Sequence, residues 1–234
     1  MTKELNAKLI VAIDGPAGSG KRTVTNLLAH RLGYVHIDTG ALYRAVALRA
    51  KESGVSFDDA VNLGKLAAAS KLEFQWLDDD RNHVFLDGRN VSLLIRTPEI
   101  SMAASKISAY PEVRDALLGL QRRMGEQGGV VLEGRDIGTV VFPKAHAKFF
   151  LTASVESRAR RRAVELEDKG VYLDFEEVKK QVVERDRGDS ERKVAPLRKA
   201  EDAMEVDTTQ MTIEQVVDKL FAVVQSKLHE KQGS

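Results

Sequence analysis

Five short apolar runs divide this chain, and each is bounded by Gly, Asp, Thr or Pro. The apolar residues within them are continuous rather than alternating, which is typical of strands buried on both faces of a parallel sheet. Longer stretches between the runs repeat apolar residues at helical spacing. This alternation of strands and helices predicts an α/β fold with right-handed crossovers. The predicted strands are Leu9–Ile13, Tyr34–Ile37, Val130–Leu132, Lys148–Leu151 and Met204–Val206.

Six stretches carry the helical spacing. The last of them follows Thr212, and Gln215 three residues later completes the sequence of a capping box. In that motif each of the two side chains accepts a hydrogen bond from the backbone N–H of the other residue. The predicted helices are Thr23–Arg31, Ala41–Lys51, Val113–Met124, Ser157–Leu166, Phe175–Arg185 and Ile213–Leu228.

The interval between the second and third predicted strands is longer than one crossover helix requires. Within it, Leu72–Leu77 and His83–Leu86 have strand character and flank an acidic turn at Asp78–Asp80. Gly88 follows as a further turn signal. We therefore predict an inserted α+β subdomain.

Composition narrows the class of protein. The chain has 234 residues and a formal net charge of +1, so it lacks the strongly basic balance of a general nucleic-acid binder. It contains no cysteine, which excludes disulfides, thiolate metal ligands and a cysteine nucleophile. The N-terminus is polar, and no apolar run reaches the roughly 20 residues that cross a bilayer. We expect a cytoplasmic protein without a membrane partner, ending in a solvated tail from Glu230 to Ser234.

A glycine-rich segment follows the first strand. Gly15–Lys21 reads GPAGSGK and fits the pattern G-x-x-x-x-G-K, in which small residues turn backbone N–H groups towards a phosphate. Lys21 adds a positive charge for the β- and γ-phosphates, and the next helix offers its N-terminal dipole. The strand before, the helix after and the additional Gly18 disfavour the alternative of a turn that binds nothing. The predicted ATP-binding residues are Gly15, Pro16, Ala17, Gly18, Ser19, Gly20, Lys21, Arg22 and Thr23.

The position after the lysine departs from the usual pattern. Ser or Thr normally stands there and reaches Mg²⁺, whereas this chain has Arg22 and places the hydroxyl one residue later, at Thr23. One residue is about 100° of helix, so the usual metal contact does not carry over. We still expect Mg²⁺ with ATP, because the nucleotide phosphates would bring it, with Thr23 as the candidate protein ligand.

A kinase should carry arginines beyond the loop, because phosphoryl transfer depends on positioning and on neutralising phosphate oxygens. Asp38–Arg44 follows the second strand, at the edge where an α/β sheet binds ligands. Arg44 could bind the phosphate of a second substrate through two hydrogen bonds. The alternative is an arginine on the helix surface without such a role. Glu133–Thr139 follows the third strand, and its glycines and opposed charges indicate a further site or, alternatively, a structural ion pair. Glu184–Arg192 carries both charge signs and by default is solvated surface, although it could also approach the acceptor.

The helix Ser157–Arg162 is basic. Arg158, Arg161 and Arg162 lie on adjoining turns of one side of it, and Asp168–Gly170 follows as a predicted hinge. This arrangement predicts a lid that closes over ATP. A solvated cationic face is the alternative.

Taken together, these motifs resemble those of the bacterial cytidylate kinases, and the resemblance runs nearly end to end. The motifs Ile37–Arg44 and Glu133–Pro143 are specific to that family rather than to phosphate-loop kinases in general. The long insertion resembles its enlarged monophosphate-binding region. The motifs are Ile13–Lys21, Ile37–Arg44, Ile95–Glu99, Glu133–Pro143, Arg185–Asp189 and Arg192–Leu197.

The resemblance implies a five-stranded parallel sheet flanked by helices, with an inserted α+β monophosphate-binding subdomain and a short helical lid. The core would comprise residues 1–38, 113–156 and 173–234. The monophosphate-binding region would comprise residues 39–112, with the subdomain at about 66–100, and the lid residues 157–172.

The resemblance also implies transfer of the γ-phosphate of ATP to CMP or dCMP. We predict direct, in-line transfer by a monomer that binds no nucleic acid. A kinase for another monophosphate, such as UMP, is the nearest rival. A loop-containing nucleotide- or RNA-binding protein is a second rival, which the near-neutral charge and few aromatic residues disfavour. The implied catalytic residues are Lys21, Arg158, Arg161 and Arg162. The implied CMP ligands are Arg44, Arg135 and Arg185 for the phosphate, Asp189 for the ribose, Ser105, Arg114 and Asp136 for cytosine, and Thr39.

Overall fold

The structure is a computed structural model that describes residues 8–77, 82–168 and 170–232. It divides the chain into two compact units. The first unit comprises Met1–His36, Gln127–Glu191 and Ala195–Ser234, and the second comprises Ile37–Glu126 and Arg192–Val194.

The described residues form eight strands and eight α-helices. A short 3₁₀ helix, Leu94–Arg96, precedes the fourth helix, and a π-helical turn, Ile137–Val141, follows the sixth strand. The order is β1 (Ile10–Asp14), α1 (Lys21–Leu32), β2 (Val35–Asp38), α2 (Thr39–Glu52), α3 (Ala60–Ala68), β3 (Leu72–Trp76), β4 (Asn82–Leu86), β5 (Arg89–Asn90), α4 (Pro98–Ile107), α5 (Pro111–Gly125), β6 (Val130–Gly134), β7 (Ala147–Thr152), α6 (Val155–Glu167), α7 (Phe175–Glu191), β8 (Met204–Asp207) and α8 (Ile213–Gln232).

The predicted parallel sheet is confirmed. Its strand order is β2-β6-β1-β7-β8, so β1 lies at the centre. Ile13 of β1 is in register with Glu133 of β6 and with Phe149 of β7. Val11 and Ala12, which point to opposite faces, are both fully buried, as the continuous apolar run predicts.

One face of this sheet packs against two helices of the first unit. Val11 and Phe149 join Leu28 of α1 and Leu220 of α8 in one apolar cluster. Burying a Leu or Phe side chain stabilises the folded state by about 1.5–3 kcal/mol, so this cluster fixes α1 beside the end of β1. The loop between β1 and α1 is thereby held at the carboxyl edge of the central strand.

The last helix begins as the sequence predicts. The Thr212 backbone N–H donates to Oε1 of Gln215 at 2.9 Å, and the Gln215 N–H donates to Oγ1 of Thr212 at 3.3 Å, which confirms the capping box. The helix continues to Gln232, so Glu230 of the predicted tail is helical, while residues 233–234 lie outside the described residues.

Helix α7 differs from the prediction. It continues to Glu191 rather than ending at Arg185, so most of the charged segment Glu184–Arg192 is helix. The default prediction of a solvated surface is wrong for Asp189, which is buried. Gly188 and the dense charges indicate a turn when only local preferences are considered, but ion pairs from distant parts of the chain hold the last turns of the helix.

The second unit contains an antiparallel sheet, β3-β4-β5, together with α2 to α5. The strand predictions for β3 and β4 are confirmed, and the acidic turn predicted at 78–80 lies outside the described residues. Helices α3 and α4 are not among the predicted helices. Each begins with a capping side chain: Asp59 accepts from the Asn62 N–H at 3.1 Å, and Thr97 accepts from the Ile100 N–H at 3.2 Å.

No helix within residues 8–77, 82–168 and 170–232 combines the length and apolar composition that a membrane span needs.

Candidate functional site

The glycine-rich loop connects β1 to α1, as predicted. Gly15 has φ +148°, and a Cβ there would lie 2.0 Å from the carbonyl oxygen of Leu151. Gly18 has φ +75°, and its Cβ would lie 3.0 Å from the carbonyl oxygen of Arg158. Only glycine combines these backbone angles with such close neighbours, so both glycines are required by the loop's shape.

Three successive carbonyl oxygens of this loop accept hydrogen bonds from side chains. Lys21 Nζ donates to Pro16 O at 2.6 Å, Arg158 Nη1 to Ala17 O at 3.2 Å and Arg161 Nη1 to Gly18 O at 3.3 Å. The Thr208 hydroxyl shares its one proton between Ser19 O at 3.1 Å and Thr152 O at 3.0 Å. With the carbonyl groups engaged in this way, the backbone N–H groups are left to form the anion-binding surface that the motif predicts.

Lys21 is buried at the start of α1. Its Nζ also donates to Ser19 Oγ at 3.2 Å. Burial and the neighbouring Arg135 hold the pKa of Lys21 well below its ordinary value, although Glu133, Asp14 and Asp189 oppose the shift. A bound polyphosphate would add negative charge beside this ammonium and favour its charged form.

The two residues after Lys21 are exposed. Among the described residues, neither the Arg22 guanidinium nor the Thr23 hydroxyl has a hydrogen-bond partner. No cluster of three or more His, Asp or Glu residues that could hold a metal ion occurs in the described part of the chain. An open hydroxyl at Thr23 without a carboxylate cage fits a Mg²⁺ ion that arrives with nucleotide phosphates and keeps several waters.

Asp14, the last residue of β1, makes contacts that were not predicted from the sequence. Its Oδ1 accepts from the Ile137 N–H at 2.9 Å and its Oδ2 accepts from the Gly138 N–H at 2.7 Å. These two amides begin the π-helical turn after β6. Burial raises the pKa of Asp14 to about 6; the two amides lower it, Asp136 raises it further and Lys21 lowers it.

Two residues of the predicted CMP site pair with each other in the first unit. Arg135 Nε donates to Asp189 Oδ2 at 2.7 Å, and Asp189 is almost completely buried on α7. Arg185 lies one helical turn before Asp189 and is partly buried, and Asp136 is buried at the start of the π-helical turn. Nearby, Glu133 Oε1 accepts a hydrogen bond from His36 Nε2 at 3.0 Å, and this buried pair was also not predicted.

The three predicted lid arginines lie on α6 and have different surroundings. Arg158 is buried, and its guanidinium pairs with Asp186 of α7 at 2.6 Å. Arg161 donates to the hydroxyl and carbonyl oxygens of Thr208, at 3.0 and 2.7 Å. Arg162 is partly exposed and pairs with Glu165 at 3.0 Å. Asp168 and Gly170 form a turn after α6, while Lys169 lies outside the described residues.

The predicted phosphate ligand of the second unit is held at the start of α2. Asp38 caps this helix by accepting from the Ala41 N–H at 3.1 Å, and its other oxygen accepts from Arg44 Nη2 at 2.6 Å. Thr39 beside it is buried. The carboxylate fixes one edge of the Arg44 guanidinium, and Arg44 Nε is buried with no hydrogen-bond partner among the residues that the structure describes.

The predicted cytosine ligands of the second unit are Ser105 on α4 and Arg114 on α5. Arg114 is buried, donates from Nη1 to the Ser108 carbonyl at 3.1 Å, and lies 5.7 Å from the centroid of the Tyr43 ring. Ser105 is partly buried, and its carbonyl accepts from the Ser108 hydroxyl at 2.8 Å.

A phosphate loop after the central strand of a parallel sheet, a buried lysine over it and several ordered arginines define the class of P-loop phosphotransferases. A family model described as cytidylate kinase matches residues 11–226. Proteins named cytidylate kinase from Syntrophotalea carbinolica and Citrifermentans bemidjiense are 53% and 51% identical over 94% of this chain, covering 93% and 94% of their own lengths. A cytidylate kinase from Lactobacillus gasseri is 44% identical over 96% of this chain and 97% of its own length. The chain belongs to the cytidylate kinase family.

Proposed function

We propose that this chain transfers the γ-phosphate of ATP to CMP or dCMP, giving ADP and CDP or dCDP. The observation that carries the proposal is the phosphate loop, whose Pro16, Ala17 and Gly18 carbonyl groups accept hydrogen bonds from Lys21, Arg158 and Arg161, in a member of the cytidylate kinase family. Direct in-line transfer needs no covalent enzyme intermediate, and we assign no catalytic base.

The donor nucleotide would bind at the loop, from Gly15 to Thr23. Lys21 would hold the β- and γ-phosphates, and Arg158, Arg161 and Arg162 would neutralise charge that develops during transfer. The contacts of Arg158 and Arg161 with loop carbonyls support this assignment, because they place both guanidinium groups beside the loop. Arg158 has most of its donors engaged, so we assign it to shaping the loop as well as to electrostatics.

Mg²⁺ would be held by the nucleotide phosphates, by water and by the Thr23 hydroxyl. When bound, it would neutralise the phosphate oxygens of ATP. The exposed Arg22 would add a further positive charge at the same end of α1.

The proposed acceptor ligands are assigned within each unit separately. In the second unit, Arg44 would hold the CMP phosphate, and Thr39, Ser105 and Arg114 would contact the nucleoside. In the first unit, Arg135 and Arg185 would hold the phosphate and Asp189 the ribose. The preset Arg44–Asp38 and Arg135–Asp189 pairs support these assignments, because a guanidinium fixed by a carboxylate loses less freedom when a phosphate binds.

Asp136 would select the base. Cytosine presents an amino group that donates to a carboxylate, whereas uracil presents a carbonyl oxygen there. A carboxylate opposite that oxygen is repulsive, so Asp136 would disfavour UMP. Arginine is a suitable partner for the acceptors N3 and O2 of cytosine, which supports the assignment of Arg114.

The test is a comparison of kcat/KM for CMP, dCMP, UMP and AMP with ATP as donor. We expect CMP and dCMP to exceed UMP and AMP by an order of magnitude or more. A preference for UMP would favour the nearest rival, and nucleotide binding without transfer to any of the four would favour a non-kinase function. A cytoplasmic location, a monomeric state and the lid boundaries stay predictions.

A further inference from the structure

The π-helical turn Ile137–Val141 follows directly on the two residues assigned to the acceptor, Arg135 and Asp136. The first amides of a helical turn have no acceptor within that turn and need one from elsewhere. Asp136 occupies the capping position but makes no capping hydrogen bond with its side chain. The acceptors come instead from Asp14, on the neighbouring strand.

The contact is specific in its geometry. Both oxygens of Asp14 are used, one for each amide, at 2.9 and 2.7 Å. A Cβ on Gly138 would lie 3.4 Å from Oδ2 of Asp14 and 3.2 Å from Cδ of Lys148, so the turn is packed closely onto this carboxylate. Asp14 is 4% exposed, which excludes water as a replacement acceptor without rearrangement.

Asp14 is also the residue immediately before the phosphate loop. The same side chain therefore connects the first residue of the donor loop, Gly15, with the segment that carries Arg135 and Asp136. If Asp136 capped its own turn, its carboxylate would be directed to backbone amides rather than to a base. Asp14 caps the turn in place of Asp136.

We propose that Asp14 is a positioning residue for acceptor selection, because it caps the Ile137–Val141 turn from β1 and so holds Arg135 and Asp136 in the orientation that reads CMP. This inference rests on the proposed function. It adds a residue that contacts neither substrate and acts through the turn.

The proposal predicts a dependence of base selection on pH. Protonation of Asp14 would convert one of its two acceptor oxygens into a donor, so one of the two amides would lose its partner. The charged groups that act on Asp14 are Asp136 in the turn, Lys21 on α1 and Arg135 at the end of β6. Lys148 of β7 places its side-chain carbons beside Gly138 and donates from its ammonium to Pro143 O and Asp202. Glu133 lies beside them, bonded to His36. Only a comparison with an Asp14 variant separates the titration of Asp14 from that of Asp136.

The experiment measures the ratio of kcat/KM for CMP to that for UMP between pH 5.0 and 7.5. The ratio cancels ionisation of the substrate phosphate, which is the same in both nucleotides. Asp14→Asn keeps the shape but replaces one acceptor oxygen by an amide donor. Asp59→Asn is the matched control, because Asp59 also accepts backbone and side-chain N–H groups at a helix start, but its hydrogen bonds are exposed and it caps α3 in the second unit.

In the wild type we expect the ratio to fall as the pH drops through about 6, near the pKa of Asp14. In Asp14→Asn we expect a ratio about tenfold lower at pH 7.5, the size of one lost hydrogen bond to a charged acceptor, and little change with pH. The KM for ATP should change much less. Asp59→Asn should behave as the wild type.

A wild-type ratio retained in folded Asp14→Asn, or an acidic fall that persists in that variant, would overturn the inference while leaving the proposed function intact. A wild type inactive towards CMP would instead overturn the proposed function. Circular dichroism reports whether Asp14→Asn folds. If it does not, Gly138→Ala replaces it, because the added Cβ would lie 3.4 Å from Oδ2 of Asp14 and 3.2 Å from Cδ of Lys148 and so would press on the contact between Asp14 and the turn. A lowered CMP-to-UMP ratio at pH 7.5 in Gly138→Ala supports the inference, and an unchanged ratio overturns it.

Discussion

Arg135 donates a hydrogen bond from Nε to Oδ2 of Asp189 at 2.7 Å, joining the end of β6 to the last turns of α7. Asp189 is 5% exposed, so this is a mostly buried ion pair rather than a surface contact. Such a pair fixes the arginine's direction and makes the two side chains depend on each other. Both residues belong to the proposed acceptor site, so loss of their ion pair should affect both the stability of the protein and the binding of CMP.

Replacing Asp189 by Asn should therefore destabilise the protein and weaken CMP binding together. Removal of the carboxylate leaves Arg135 with a neutral partner, and we expect the free energy of unfolding to fall by about 1–3 kcal/mol. Urea unfolding measures the loss. Asp218→Asn is the control, because Asp218 pairs with Arg31 on the exposed surface and such pairs contribute little. Equal stability of the two variants would contradict the role given to the buried pair.

Replacing Lys21 by Ala should reduce kcat/KM for ATP about a hundredfold or more, because the donor phosphates lose their buried positive charge. The same substitution at Lys65, which is exposed on α3, should have no effect on turnover. Steady-state kinetics at saturating CMP measure both. Near-normal turnover in Lys21→Ala would remove this lysine from the mechanism.

Replacing Asp136 by Ala should lower the preference for CMP over UMP about 10- to 100-fold, since both the attraction to the cytosine amino group and the repulsion of the uracil carbonyl are lost. Asp115→Ala, at an exposed position of α5, is the control. Competition between the two nucleotides in one reaction reports the preference directly. An unchanged product ratio would exclude Asp136 from base recognition.

The free energy of unfolding should depend on pH through the ionisation of Asp14. Its pKa is raised from 3.8 to about 6, so the ionised carboxylate is less favourable in the folded than in the unfolded chain. Its contribution to stability is fully present below about pH 4 and is lost as the pH rises through 6. We expect the stability of Asp14→Asn relative to the wild type to increase by up to about 3 kcal/mol between pH 4 and 7. Denaturant unfolding at several pH values tests this, and a difference that does not vary with pH would contradict it.

Arg22 stands where a Ser or Thr usually binds Mg²⁺, so the dependence of activity on Mg²⁺ tests whether Thr23 is the metal ligand instead. Removing the Thr23 hydroxyl in Thr23→Val should raise the Mg²⁺ concentration needed for half-maximal velocity several-fold, whereas Thr23→Ser should preserve it. Titration of MgATP binding by calorimetry gives a second readout that is independent of turnover. Identical Mg²⁺ dependence in the two variants would show that Thr23 is not a metal ligand.

Much of the fold could be predicted because its signals are local. Val11 and Ala12 are both apolar in a run too short for a helix, which indicates a strand buried on both faces, and the glycines of the phosphate loop follow it directly. Helices α3 and α4 were missed although Asp59 and Thr97 are good capping residues. These helices have 9 and 10 residues, too few for the helical spacing of apolar residues to repeat clearly.

The missed site residues depend on contacts between distant parts of the chain. Asp14 meets Ile137 across 123 positions, and no local pattern indicates that pairing. The same is true of Asp186, which holds Arg158, and of Thr208, which contacts the loop. The family resemblance predicts Arg135 and Asp189 as site residues, but only the structure shows that they form an ion pair. The domain boundaries inferred from the sequence stay a prediction.

The most direct test of the proposed function follows the transferred phosphate itself. Purified protein is mixed with ATP and Mg²⁺, with and without CMP, and ³¹P NMR identifies the products. The proposal predicts that ADP and CDP appear in equal amounts and only when CMP is present. ADP formed at the same rate without CMP, or no CDP when CMP is supplied, would contradict it.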